Sequence, residues 1–392
     1  MFYNCCMQAL KKHFLLRDDV TYLNFGSFGA CARPVFERYQ QLQRELEQEP
    51  VDFITNTGLK YLAQSRAALG KYIGCDGNDL VFVTNPSYAV NMVARSIALQ
   101  PGDEVLSTAI EYGACDKTWE YVCGRAGARY VRQAVSLPVQ SAEQFVAGFF
   151  KGLTPRTKLI FISHITSTTG LRLPVEAICK IAKEKGILTF VDGAHAPGQI
   201  PLDISNQPFD IYTGACHKWM MTPKGSSFVY VRKALQPLDP LVVSWGYKAL
   251  FPSASIFLDH HQMNGTRDYT AFLTIPAAIA FMEAHDWWTV AAECRKLVMD
   301  NAPTLCDILK AEPLAPLEGD FIYQLFSAAI KTSAPEQLHD HLRDEYKIQV
   351  PIMRQDDRVY IRYSINAFND QGDLDKLFDA LKAIKQHTNL IE

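Results

Sequence analysis

The 392-residue sequence contains no long hydrophobic run and no marked excess of charge of one sign. A membrane-spanning helix needs roughly 20 consecutive apolar residues, so the sequence predicts none. Lysine and arginine total 39, and aspartate and glutamate total 42, which gives a formal net charge of −3. The chain therefore lacks the basic surface that would attract nucleic acid or an anionic membrane. Its first residues lack a basic segment followed by an apolar core, so we expect no secretory signal peptide.

Cysteine is present but never forms a Cys-x-x-Cys pair, because its ten copies are scattered along the chain. This usage indicates reduced thiols rather than a disulfide framework or a zinc site. We therefore expect a cytoplasmic protein. The composition, 48% hydrophobic and 21% charged, is ordinary for a globular chain with a sizeable core.

Short apolar runs alternate with helical patterns before Pro240, which is typical of a doubly wound α/β fold with a mostly parallel sheet. Later helix and strand patterns predict a small α+β C-terminal domain. We expect an N-terminal arm over 1–20 with a short amphipathic helix, a large domain over 21–265 and a small domain over 266–392. The predicted strands of the large domain are 79–84, 104–107, 128–135, 158–163, 187–191, 211–213 and 226–231, the last one antiparallel.

An acid and a lysine follow two successive predicted strands. Asp192 ends the apolar run 187–191, and Lys218 follows the strand 211–213 about 26 residues later. If these strands are parallel neighbours, both side chains point into the same crevice. An enzyme that uses pyridoxal 5′-phosphate (PLP) needs this pair, because the lysine holds the cofactor as a Schiff base and the acid keeps the pyridine nitrogen protonated. The apolar neighbours of Lys218 would also lower its pKa, which suits this chemistry.

Three other side chains each have a structural and a functional interpretation. Ser87 opens a predicted helix over 88–99, where it either caps the helix or binds a phosphate at the helix N-terminus. Tyr112, just past a strand, is either a core residue or a ring that stacks on a planar cofactor. Arg362 lies inside an apolar strand, so it needs either a structural partner or a substrate carboxylate.

A metal-dependent hydrolase is an alternative interpretation of the same region. Asp192, His195 and His217, with His260 or His261, offer metal-ligating side chains. No His-x-x-x-His or glutamate-flanked pair supports this reading, and it leaves Lys218 unexplained. We therefore expect no metal.

The sequence resembles the class V aminotransferases, PLP enzymes of fold type I, and within them the isopenicillin N epimerase-like branch. The resemblance covers about residues 20–385. The matching segments are Leu23-Asn24-Phe25-Gly26-Ser27-Phe28-Gly29, Glu111-Tyr112-Gly113-Ala114, Val191-Asp192-Gly193-Ala194-His195-Ala196-Pro197-Gly198, Tyr212-Thr213-Gly214, His217-Lys218-Trp219, Pro223-Lys224-Gly225 and Gly265-Thr266-Arg267-Asp268.

The resemblance implies a site shared between the two subunits of a homodimer, with Thr266 entering from the second subunit. The implied catalytic residues are Lys218, Asp192, His195 and Tyr112. The implied cofactor contacts are Pro86, Ser87, Tyr112, Ser167, Asp192, His195, His217, Lys218 and Thr266. The implied substrate contacts are Asn24, Phe25 and Arg362.

This resemblance implies chemistry at the Cα atom of an amino-acid-type substrate. Epimerisation is favoured, while a C–S lyase and an aminotransferase stay open, as does a catalytically inactive PLP-fold scaffold. Relatives that make persulfide carry a cysteine between positions equivalent to Val350 and Arg362, and this sequence has none there. Pro86 and Ala215 also depart from residues that hold the phosphate in many relatives.

Overall fold

We describe residues 10–392 in a computed structural model of the chain. The first half of the predicted arm, 1–9, lies outside the described residues. The amphipathic helix predicted for 1–20 is wrong over the rest of that range, because the helix ends by Lys11. Phe14 instead forms a backbone bridge with Ala32 and is buried, whereas Leu15 is 50% exposed. Pairing with Ala32 therefore replaces the helix.

A seven-stranded sheet lies between Leu80 and Val231, with the strands β2 Leu80–Val83, β3 Glu104–Thr108, β4 Arg129–Gln133, β5 Thr157–Ser163, β6 Leu188–Gly193, β7 Ile211–Ala215 and β8 Ser227–Val231. Their order in the sheet is β2-β8-β7-β6-β5-β3-β4. Strand β8 runs antiparallel between β7 and β2, and the other pairs in the sheet are parallel. This confirms the mostly parallel α/β sheet and its antiparallel return strand.

Helices cover the sheet because its central strands are buried on both faces, as in other doubly wound folds. Among residues 10–392 none of these helices is long and apolar enough to cross a membrane. The longer helices are Arg33–Gln48, Gly58–Ile73, Pro86–Ser96, Gly113–Ala126, Ala142–Phe149, Val175–Glu184, Ile275–Ala284, Trp287–Leu309, Pro335–Asp344 and Gln371–His387. Shorter segments are Phe25–Phe28, Pro50–Asp52, the π-helical turn Phe53–Thr57, Ile256–Gln262 and Thr270–Leu273.

The helix after β2 begins earlier than predicted. Its N-cap is Asn85, whose side-chain oxygen accepts the N–H of Tyr88 at 2.9 Å. Pro86 takes the first helical position, where a missing N–H costs nothing. Ser87 is therefore not the cap, and the prediction that it caps the helix is wrong.

Two smaller sheets lie in the C-terminal part of the chain. The antiparallel sheet β11-β12-β9 combines Ile352–Gln355, Arg358–Ser364 and Leu325–Ala329. A short parallel pair joins β1, Thr21–Tyr22, to β10, Ile348–Gln349. The chain just after the arm therefore pairs with the C-terminal part. The predicted boundary between 265 and 266 stays a prediction.

Gly198 shows how tightly the segment after β6 is packed against the segment after β7. Its φ is +87°, and a Cβ atom there would lie 2.4 Å from the backbone oxygen of Trp219. Its own carbonyl oxygen accepts the ring N–H of Trp287 at 2.7 Å. No side chain other than hydrogen fits this position without moving the backbone.

We predict that Gly198→Ala lowers the free energy of unfolding by about 3 kcal/mol, since it adds a backbone clash to a left-handed conformation. Gly186→Ala is the matched control: Gly186 also has a positive φ, +69°, but a Cβ atom there meets no atom within 4 Å. We expect it to lose only about 1 kcal/mol. Urea unfolding followed by circular dichroism measures both, and equal losses would contradict the close approach to Trp219.

Candidate active site

Loops at the carboxyl ends of the parallel strands surround a cavity of ≈ 410 Å³. This edge is where ligands bind in open α/β sheets. Ser27 and Phe28 from the N-terminal segment also line it. Of the residues that the sequence predicts for the site, eight line this cavity: Pro86, Ser87, Tyr112, Ser167, Asp192, His195, His217 and Lys218.

Four predicted residues do not line the cavity. Phe25 is fully buried, and its ring centroid lies 5.1 Å from that of Trp219 and 5.8 Å from that of Phe368, so it belongs to the core. The Asn24 side-chain oxygen accepts a hydrogen bond at 2.5 Å from the hydroxyl of Ser27, which itself lines the cavity. Thr266 is exposed to solvent. The fourth, Arg362, is described below.

Lys218 and His195 both line the cavity and contact each other. Lys218 Nζ lies 3.1 Å from His195 Nε2, and the ring N–H of Trp219 donates to His195 Nδ1 at 3.3 Å. Burial lowers the pKa of Lys218 to about 8, although the charge of Asp192 opposes this shift. A substantial fraction of the amine is therefore neutral near pH 8, as a nucleophilic lysine requires.

Asp192 points into the same cavity because β6 pairs with β5 and β7 in parallel, opposite Ser163 and Thr213. One carboxylate oxygen accepts the N–H of Ala194 at 2.9 Å, and the other lies 3.6 Å from the thiol sulfur of Cys115. Burial raises the pKa of Asp192. Within the described residues it forms no salt bridge, so a protonated ring nitrogen is a suitable partner.

The cavity lining also offers donors for a phosphate. The N–H of Ser87, in the first turn of its helix, makes no hydrogen bond to any described residue, and the helix dipole favours an anion there. Burial lowers the pKa of His217 to about 4. Its Nδ1–H donates to the Ser226 carbonyl oxygen at 2.9 Å, so Nε2 is the nitrogen left for a ligand. Pro86 contributes no N–H.

Arg362 lies directly behind the cavity wall and is 1% exposed. Its guanidinium donates to the Ser27 hydroxyl at 3.2 Å and to the Ser167 carbonyl oxygen. Its Nε has no hydrogen-bond partner among the described residues, and no carboxylate of these residues forms a salt bridge with Arg362. Burial lowers its pKa to about 10. A buried guanidinium without an anion is costly, so this position favours binding of a carboxylate.

Sequence reasoning missed several residues that shape the site. Glu111 is buried, accepts the Thr108 hydroxyl at 2.6 Å and the Ser163 N–H at 3.0 Å, and has its pKa raised to about 8 by burial. The Cys115 thiol contacts Asp192. The Trp219 ring N–H donates to His195. Glu111 and Trp219 belong to recognised motifs, so their positions were visible, but no local pattern indicates which atoms they contact.

The arrangement does not favour the metal alternative. No group of three His, Cys, Asp or Glu between residues 10 and 392 is placed to hold a metal ion. Both ring nitrogens of His195 already have partners. His261 is directed elsewhere, with Nε2 3.1 Å from the Leu238 carbonyl oxygen.

The residues present fit PLP on the chemistry of their atoms. A lysine with a lowered pKa, a buried carboxylate without a cation and a helix N-terminus with a free N–H line one cavity. Lys218 would hold the aldehyde carbon, Asp192 the pyridine nitrogen, and Ser87 with His217 the phosphate. Bound there, the cofactor would withdraw electrons from the substrate Cα.

Comparisons with known proteins agree with this chemistry. The profile of the family described as aminotransferase class-V matches residues 35–377. The chain is 34% identical to isopenicillin N epimerase of Streptomyces clavuligerus over 96% of this chain and 98% of that protein. It is 27% identical to putative L-cysteine desulfhydrase 1 of Oryza sativa subsp. japonica, over 93% of this chain and 83% of that one.

Solved structures share the fold. A cysteine desulfurase from Thermococcus onnurineus NA1, solved in its apo form, superposes with a TM-score of 0.80 at 19% identity, over 96% of this chain and 98% of that chain. A cystine C–S lyase in complex with cysteine persulfide gives a TM-score of 0.78 at 22% identity, over 93% and 98%. These likenesses confirm the predicted fold type.

We expect Lys218→Ala to abolish the visible absorbance of lysine-linked PLP, because no other lysine lines the described cavity. Borohydride reduction and peptide mapping of the unmodified enzyme should place the label on Lys218. Lys224→Ala is the control, since the Lys224 amine donates to the Gly29 carbonyl oxygen instead. A label on another lysine, or an unchanged spectrum in Lys218→Ala, would contradict the assignment.

Proposed function

This chain belongs to the class-V aminotransferase family, its cofactor is pyridoxal 5′-phosphate, and we propose that it epimerises the Cα atom of an amino-acid-type substrate, as isopenicillin N epimerase does. The observation that carries the proposal is the 34% identity to that epimerase over nearly the whole of both chains. The cavity supports it with a lysine and a phenol in its lining and with a buried arginine that donates to the lining residue Ser27.

Lys218 is the first acid–base group of the proposed reaction. The cofactor supplies a ring that makes the substrate Cα–H acidic. Lys218 Nζ, freed when substrate binds, would take the Cα proton, which requires the neutral amine that its lowered pKa favours. His195 Nε2, at 3.1 Å, fixes the direction of the amine.

Arg362 is proposed to orient the substrate. Its guanidinium reaches Ser27 and Ser167, which both line the cavity, and it has no carboxylate partner among the described residues. A substrate α-carboxylate would supply that partner and hold Cα at a fixed position relative to Lys218.

Epimerisation needs a second proton donor on the other side of Cα, and we assign this role to Tyr112. The other titratable residues lining the described cavity already have proposed roles: Asp192 would pair with the ring nitrogen, His195 orients Lys218, and His217 would hold the phosphate. Tyr112 is 48% exposed at the N-terminus of the helix Gly113–Ala126, so its hydroxyl can approach a substrate.

A C–S lyase is the second candidate. The relatives described as cysteine desulfhydrases and the structural likeness to a cystine C–S lyase favour it. A lyase needs Lys218 and Arg362 but no proton donor on the second face of Cα. The role of Tyr112 therefore distinguishes the two reactions.

We also propose that the enzyme is a homodimer with shared active sites. The loop after Pro240 exposes large apolar side chains: Val243 is 68%, Trp245 74%, Leu250 76% and Phe251 88% exposed. Contiguous exposed apolar groups of this kind mark protein interfaces. The exposure of Thr266 supports a contact with the phosphate site of a second subunit.

The reaction is tested by proton NMR in D2O with isopenicillin N and L-cystine. We expect deuterium at Cα together with inversion in the unmodified enzyme. Tyr112→Phe should slow inversion by about 100-fold or more, while deuterium exchange with retained configuration continues through Lys218.

Tyr121→Phe is the matched control, because Tyr121 is 50% exposed on the same helix and does not line the cavity. It should leave inversion unchanged. Release of pyruvate and sulfur from L-cystine without inversion would identify the lyase instead. A keto acid without sulfur release would identify an aminotransferase.

Sedimentation velocity tests the dimer. We expect the unmodified enzyme to sediment as a dimer and the Trp245→Asp/Phe251→Asp variant as a monomer with weaker PLP affinity, because charges would lie in an apolar interface and Thr266 would be lost from the partner site. Tyr346→Asp is the control, since Tyr346 is 37% exposed outside this loop. A monomeric unmodified enzyme would contradict the proposal.

A further inference from the structure

His195 lies between two nitrogen atoms with different hydrogen-bonding capacity. Trp219 Nε1 is 3.3 Å from His195 Nδ1, and Lys218 Nζ is 3.1 Å from His195 Nε2. An indole N–H can only donate, so Nδ1 must present its lone pair. A neutral imidazole carries one proton, which is therefore on Nε2.

This tautomer determines the state of Lys218. Because Nε2 carries the proton, it donates toward Lys218 Nζ, and Nζ must accept. An ammonium group has three donors and no lone pair, whereas a neutral amine can accept. The hydrogen bonds therefore run in one direction, from Trp219 through His195 to Lys218, and they suit only the neutral amine.

We propose that Trp219 is a positioning residue that fixes His195 as the Nε2–H tautomer and thereby favours the neutral amine of Lys218 over the ammonium. The inference rests on the proposed role of Lys218 as the cofactor-binding lysine. Trp219 has a rigid setting for this role, since it is fully buried and packs on Phe25 with ring centroids 5.1 Å apart. In the sequence, Lys218 is adjacent to Trp219, whereas His195 is 24 residues away from it.

The surroundings of Lys218 lower the pH at which its neutral amine forms. Asp192 and Cys115 favour the charged form, while burial and the nearby Arg362 oppose it, and the net result is a pKa of about 8. The pKa of His195 is lowered by burial and by Lys218, Arg362 and His217, which keeps the imidazole neutral.

The test measures how fast apoenzyme, prepared from the purified holoenzyme, captures added PLP at different pH values. The readout is the visible absorbance of lysine-linked PLP, followed by stopped flow. In Trp219→Phe the Nδ1–H tautomer becomes available, so Nε2 can accept from an ammonium and the pKa of Lys218 rises. We expect the pH of half-maximal capture to rise by about one unit. At pH values below this midpoint, Trp219→Phe should therefore capture PLP about tenfold more slowly than the unmodified protein.

Two variants separate this effect from a loss of packing. Trp119→Phe also removes a fully buried indole, which packs on Phe161 and whose N–H has no hydrogen-bond partner among the described residues. It should therefore leave the capture profile unchanged. In a His195→Leu background, Trp219→Phe should produce no shift, because leucine can neither accept from Trp219 nor donate to Lys218. An unshifted profile in Trp219→Phe, or the same shift in the His195→Leu background, would overturn the proposal.

A measurement on the unmodified apoenzyme covers the case in which Trp219→Phe does not fold. Long-range proton–nitrogen NMR reports the ring tautomer of each histidine, and the signal missing from His195→Leu identifies His195. We expect the Nε2–H pattern, and the Nδ1–H pattern would overturn the inference. A normal PLP spectrum that depends on Lys218 would leave the proposed function intact in that event.

Discussion

The parallel pairing of β6 with β7 is the constraint on which the site depends. It sets Asp192 opposite Thr213 and brings the chain after β7 back to the same edge of the sheet. Antiparallel pairing would send the two strand ends to opposite edges and separate Asp192 from Lys218. Because β8 returns antiparallel beside β7, the segment that carries His217 and Lys218 is a short connection held on both sides.

Charged groups lie in the cavity lining and directly beside it without forming salt bridges to one another. Asp192 and Arg362 are both buried, and neither forms a salt bridge within residues 10–392. Lys218 adds an amine whose pKa burial has lowered. Such groups are unfavourable for folding unless a ligand supplies the missing charges, so their coexistence is typical of a functional site. The helix cap leaves a further polar group unpaired: Asn85 accepts the N–H of Tyr88, so the N–H of Ser87 stays free for an anion.

Much of the fold was predictable because the central strands are buried on both faces and appear as continuous apolar runs. Errors occurred where a local signal competed with a distant contact. The arm over 1–20 was predicted to hold a short amphipathic helix, but Phe14 pairs with Ala32 instead. Phe25 was predicted to bind substrate because its motif resembles a site loop, yet its ring packs between Trp219 and Phe368.

The sequence by itself determined the α/β class, the order of the strands that end in Asp192 and Lys218, and the type of cofactor, because these depend on short apolar runs and on residue chemistry within them. Only the tertiary structure decided that Arg362 reaches Ser27, which is 335 residues away, and that Trp219 donates to His195. Hydrogen bonds of this kind depend on how separate elements pack in three dimensions. A pattern of neighbouring residues contains no record of that packing.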